Sequence, residues 1–147
     1  MVHDLYQETI LDHSKHPRNC HELPGANRKA EGYNPLCGDK LKLYLKMNGD
    51  VVEDASFVGS GCAISTASAS LMTESLKGLK REDALKLLER FHDLLTTDSP
   101  VTQELGKLAV FCGVREYPAR VKCATLAWHT LKSALENKEE PVTTESV

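Results

Sequence analysis

Between residues 41 and 47 the chain alternates strictly. Leu41, Leu43, Leu45 and Met47 are apolar, whereas Lys42, Tyr44 and Lys46 are not. A period of two marks a strand with one face buried and one face wet. Asn48-Gly49 follows, a pair that favours a hairpin turn because both residues tolerate positive φ. Residues 51–58, rich in Val, Phe and Ala, return as the second strand with a less clean alternation. Residues 28–33 predict a short edge strand that Pro35 stops, making three. Elsewhere the pattern is helical. Asp4 is placed to cap a first helix carrying Leu5, Ile10 and Leu11 and ending by Pro17. Residues 64–77, dense in Ala, Ser, Leu and Met, predict a second helix with a face small enough for close packing, ended by Gly78. Residues 82–95 carry the stripe Ala84, Leu85, Leu87, Leu88, Phe91 and Leu95. After a linker over 96–100, residues 103–111 predict a short helix closed by Gly113, and Pro118 starts a last one reaching about residue 136.

The chain of 147 residues suits a single domain over 1–137, followed by a flexible, charged and then Pro/Thr/Ser-containing tail over 138–147. A net charge of −3 gives no electrostatic drive toward nucleic acid or an anionic membrane, and 5% aromatics leave few stacking platforms for single strands. The polar, acidic start is unlike a signal peptide, and no apolar run approaches a membrane span. The expected location is therefore the cytoplasm. In that compartment an odd count of five cysteines points to reduced thiols, metal ligands or catalytic groups rather than a disulfide framework.

Two of the five converge by simple topology. Cys37 lies eleven residues before Asn48 and Cys62 thirteen after Gly49, so folding at the turn brings both to the open end of the hairpin. Asp39, two residues from Cys37 on an extended backbone, can face the same side. Cys123, in the first turns of the last helix, can complete a tetrahedral zinc set of Cys37, Asp39, Cys62 and Cys123. Three thiolates and a carboxylate around a divalent ion leave an anionic centre, and Arg120, Lys122 and Lys40 are cations available to offset it. An aspartate is a harder, weaker partner than a fourth thiolate, which suggests a centre where something exchanges. Cys62 also stands at a helix N-terminus, where the dipole favours thiolate. The other candidates read as ordinary structure. His13 and His16 fit a solvated helix end or partner contact, Cys20 an incidental loop thiol, and Cys112 a buried structural one. Ser65, Thr66 and Ser68 fit capping and close packing.

The motifs Asn34-Pro35-Leu36-Cys37-Gly38-Asp39, Gly61-Cys62-Ala63-Ile64-Ser65 and Lys122-Cys123 resemble the three cysteine motifs of iron–sulfur cluster assembly proteins of the IscU/NifU type. Asp12-His13, Pro17-Arg18-Asn19, Val52-Glu53-Asp54-Ala55, Ser68-Ala69-Ser70 and Ala124-Thr125-Leu126 extend the likeness over nearly the whole chain. Two departures stand out within that family. Lys122 occupies the place where general scaffolds carry a histidine, and the gap from Cys62 to Cys123 is longer, with the extra segment falling roughly between Leu94 and Phe111. Both resemble the SUF-system branch, the SufU proteins of Gram-positive bacteria. The resemblance implies an α+β fold, a small antiparallel three-stranded sheet packed against about five helices, in agreement with the elements above. It also implies zinc held by Cys37, Asp39, Cys62 and Cys123, with Arg120 important nearby. The implied partner is the pyridoxal-phosphate cysteine desulfurase of the system (SufS-like), with the SUF scaffold complex downstream.

The function expected from these residues is a zinc-dependent sulfurtransferase in iron–sulfur biogenesis. The alternative is a scaffold that assembles an iron–sulfur cluster on the same ligands, since thiolates serve both centres. Of the thiols, Cys37 is the expected sulfur acceptor. It sits on a loop between Pro35 and Gly38, whereas Cys62 and Cys123 are held at helix starts.

Overall fold

A computed structural model of the chain describes residues 2–35, 37–97, 103–136 and 142–143. Three strands, β1 (Arg28–Asn34), β2 (Asp39–Asn48) and β3 (Val51–Ser60), pair antiparallel as the alternation predicts. Leu41, Leu43 and Leu45 face the core, while Lys42 on the opposite face lies over the ring of Tyr44. The turn falls one residue later than Asn48-Gly49. Asn48 pairs with Val51, so the loop is Gly49-Asp50, with positive φ (61°) at Gly49 and not at Asn48. A glycine first in a two-residue loop is the type II′ pattern, which needs only that one positive φ. The register shift between Lys46 and Met47 leaves Glu53 as an extra residue on β3, which accounts for that strand's irregular alternation. A two-residue strand, β4 (Val142–Thr143), adds parallel to β1 and gives the order β3-β2-β1-β4. The sequence pattern predicts no strand there; the rest of the expected tail, residues 138–141 and 144–147, lies outside the described residues.

Among the described residues there are five helical segments: α1 (Val2–Lys15), α2 (Ala63–Leu76), α3 (Arg81–Thr96), a 3₁₀ segment (Gln103–Glu116) and α4 (Pro118–Leu135). α1 starts ahead of Asp4, so Asp4 lies inside the helix rather than capping it. The 3₁₀ segment breaks at Gly106 (φ 52°, ψ −126°) and continues past Gly113, the residue expected to close it. α2 and α4 pack on the sheet and on each other. α2 presents the fully buried Ser68 to that seam. Ser68 donates its hydroxyl to the Ala124 carbonyl and accepts from Trp128 Nε1 (3.2 Å), so it is a packing residue as expected. Trp128 in turn stacks on Phe91 of α3 with centroids 4.6 Å apart, and the edge of Phe111 closes the cluster at 5.6 Å.

α1 is held by an unforeseen polar contact. His13 is buried (3% exposed), not solvated, with Nδ1 2.7 Å from Ser70 Oγ and Nε2 3.6 Å from Glu74. Burial, with the Arg18 charge nearby, pulls its pKa below the usual imidazole value. The segment after it is stitched to the same helix. Arg18 N–H donates to Ser70 Oγ (2.8 Å), and Asn19, at φ 59°, donates to Thr73 and accepts from Lys77 (2.6 Å).

Candidate metal centre

The site grows from the register of the sheet. Asn34, last in β1, stands opposite Asp39, first in β2, and the connection between them carries Cys37. Both Asn34 and Asp39 are fully buried, whereas Cys37 is exposed. Beside it at the same open end of the hairpin, β3 leads through Gly61 into Cys62, the N-cap of α2, whose sulfur accepts from the Ser65 N–H at 3.4 Å. The Cys62 N–H donates to Asp39 Oδ1 (2.8 Å), joining the two motifs directly. Gly61 permits this approach, because a Cβ there would collide with the Asp39 carboxylate. From the opposite side α4 brings Cys123, 3% exposed.

The Cys37 and Cys123 sulfurs and an Asp39 oxygen all lie within 4.8 Å of one another, with the two sulfurs 3.3 Å apart. Cys62 stands beside Cys123 but outside that mutual circle. The structure thus brings three expected ligands together and sets the fourth next to them. Burial pushes the Cys123 thiol far above its ordinary pKa, and Cys37, Cys62 and Asp39 push in the same direction. The Cys123 thiol therefore keeps its proton unless a cation replaces it. Sulfur and carboxylate donors at this spacing fit zinc, whose tetrahedral ligand atoms sit roughly 3.5–4 Å apart.

Asn34 enters the sequence reading only as the first residue of a family motif, with no role of its own. Its side-chain amide donates to Asp39 Oδ2 (3.1 Å) and toward Cys123 Sγ (3.5 Å), so one group orients two ligands. Its sequence signal was its place at the head of the Asn34-Pro35-Leu36-Cys37-Gly38-Asp39 motif, which says nothing of a partner on α4. Arg120 and Tyr117 share with Cys37, Cys62, Cys123 and Val114 the lining of a groove of about 690 Å³ that opens on the site. Arg120 is exposed and stacks over the Tyr117 ring, 4.7 Å from its centroid. Lys122 is half-buried and Lys40 exposed. Cys20 is exposed and bridges to Phe57 on the β3 edge, while Cys112 is only half-buried, packed against the core.

Fold and centre together define the class: a single-domain α+β protein with a Cys/Asp metal-binding centre at the mouth of a hairpin. The chain belongs to the NifU-like N terminal domain family, which matches residues 5–124. It is 42% identical over 136 residues to the zinc-dependent sulfurtransferase SufU of Bacillus subtilis (strain 168), covering 92% of each chain. It is 40% identical over 136 residues to the iron–sulfur cluster assembly scaffold protein IscU of Streptococcus pyogenes serotype M1, covering 92% of this chain and 85% of that one. A solved structure from Fervidobacterium islandicum AW-1, a candidate iron–sulfur cluster assembly scaffold protein for the SUF system, superposes with a TM-score of 0.84 at 37% identity. That superposition covers 90% of this chain and 98% of the other. The family resemblance carried by the three cysteine motifs is borne out. Among the described residues no helix is long and apolar enough to cross a membrane.

Proposed function

We propose that this protein is a zinc-dependent sulfurtransferase of iron–sulfur cluster assembly, taking sulfur from a cysteine desulfurase and passing it on. The observation that carries this reading is one exposed thiol, Cys37, set 3.3 Å from a buried one, Cys123. A site made only to hold an ion has no need to leave a ligand in solvent on a loop. The 42% identity to a relative named as such a transferase supports it.

Cys37, Asp39, Cys62 and Cys123 would hold the ion. When bound, zinc supplies the positive charge that keeps these thiols deprotonated at neutral pH. The rest is the work of the chain. The Cys37 thiolate attacks the outer sulfur of the desulfurase's persulfide. A bond forms between Cys37 Sγ and that sulfur, the donor's S–S bond breaks, and the donor cysteine leaves as thiolate. One persulfide replaces another, so no external oxidant or reductant is required. Asn34 and the Cys62 N–H keep Asp39 in place while Cys37 moves. Arg120, exposed on the groove, offers a positive charge to the anionic sulfur.

The second reading is a scaffold on which a cluster is assembled as cargo, favoured by the relatives that bear that name and by a ligand set able to hold either centre. Elemental analysis with an absorption spectrum of protein purified with and without air separates them. One zinc per chain in a colourless protein, together with faster sulfide release by the cognate desulfurase, supports the transferase. Iron with labile sulfide in a brown protein, and unchanged turnover, supports the scaffold.

A further inference from the structure

Arg120 is held in an uncommon way. It lies in the first turn of α4, which contains no acidic residue, so its charge faces the positive end of the helix dipole, a position that costs stability. Among the residues whose side chains are described, no carboxylate lies within ion-pair distance of it. Its guanidinium lies over the face of Tyr117, with the central carbon 4.7 Å from the ring centroid. Tyr117 is itself 50% exposed, one of three large hydrophobic side chains left in solvent among the described residues. Both residues line the groove that contains Cys37, Cys62 and Cys123.

An aromatic face and a carboxylate do different things to a guanidinium. A carboxylate would neutralise it and occupy its donors. A ring attracts the cation through its quadrupole, fixes the guanidinium plane, and leaves the N–H edge free to bind an anion. We propose that Tyr117 is a positioning residue: its ring aims Arg120 into the groove, making the guanidinium the receptor for an anionic sulfur arriving at Cys37. This rests on the transferase reading for the identity of the anion, but not for the geometry. The hydroxyl of Tyr117 plays no part.

The test compares alkylation by iodoacetate, an anion, with alkylation by iodoacetamide, its neutral counterpart, on the protein as purified. Peptide mass spectrometry reads the rate at Cys37, with Cys20, which does not line the groove, as internal reference. In the wild type the iodoacetate-to-iodoacetamide ratio at Cys37 should exceed that in Arg120→Ala by about threefold or more, and 0.5 M salt should shrink the difference. Tyr117→Leu should lower the ratio as far as Arg120→Ala, Tyr117→Phe should keep it, and the Tyr117→Leu/Arg120→Ala double variant should fall no further. A wild-type ratio in Tyr117→Leu, a loss in Tyr117→Phe equal to that in Tyr117→Leu, or additive losses in the double variant would overturn the proposal. Desulfurase stimulation, measured separately on the wild type, tests the transferase reading. If stimulation is absent while the alkylation ratios behave as stated, that reading fails and the role of Tyr117 stands.

Discussion

The sulfurs of Cys37 and Cys123 are 3.3 Å apart although one is on an exposed loop and the other is buried on a helix. That is short of a bond, yet a small loop movement would bring them to the roughly 2.05 Å of a disulfide. Removing the metal should therefore expose the pair to oxidation. Protein stripped with a chelator and treated with a mild oxidant is expected to form a Cys37–Cys123 disulfide, found by non-reduced peptide mapping. Zinc restored before the oxidant should suppress it.

Asn34 donates to Asp39 and reaches toward Cys123 without being a ligand itself. Outer partners of this kind typically account for about 10–100-fold in metal affinity. Asn34→Ala should weaken zinc binding by that order, measured by competition with a chromophoric chelator. Unchanged affinity would mean the register of β1 and β2 alone holds Asp39.

Gly61→Ala tests the same carboxylate from the other side. The added Cβ would collide with Asp39, so this variant should lose zinc although every candidate ligand is retained. Its far-ultraviolet circular dichroism should remain that of the parent. Zinc content equal to wild type would show that Asp39 can shift and still bind.

His13 makes stability depend on pH. Its folded pKa is lowered, chiefly by burial and then by Arg18, with Glu74 and Asp12 opposing and Lys107 adding slightly. A lowered folded value means the unfolded chain takes up a proton first. The stabilisation is complete above the ordinary histidine value of about 6.5 and falls as pH drops below it toward the folded value, by at most about 1.4 kcal/mol per pH unit. Urea midpoints between pH 7 and pH 5 should decline in the wild type and decline less in His13→Gln.

These residues also mark how much could be read beforehand. The hairpin was legible because Leu41, Leu43 and Leu45 keep a strict period, and that period places Cys37, Asp39 and Cys62 at one end whatever the details of the turn. The turn itself was misplaced by one residue, because Asn48-Gly49 and Gly49-Asp50 are both acceptable two-residue loops and only the pairing of Asn48 with Val51 selects the second. Cys123 could be suggested from its helix start, but its approach to Cys37 depends on how closely α4 packs on β1. That packing is set in part by Gly32, where a Cβ would collide with Thr130. Asn34 and His13 escaped for a common reason. Their meaning lies in partners on other elements, Cys123 at a separation of 89 residues and Ser70 at 57, and no local pattern encodes those distances.

The most direct test of the central claim is to locate the transferred sulfur. Protein incubated with its cognate desulfurase and cysteine, then trapped with a thiol-blocking reagent and digested, should carry the additional sulfur on the Cys37 peptide. Cys37→Ser should accept none at the normal rate. Sulfur found mainly on Cys20, Cys62, Cys112 or Cys123, or undiminished acceptance by Cys37→Ser, would contradict the account.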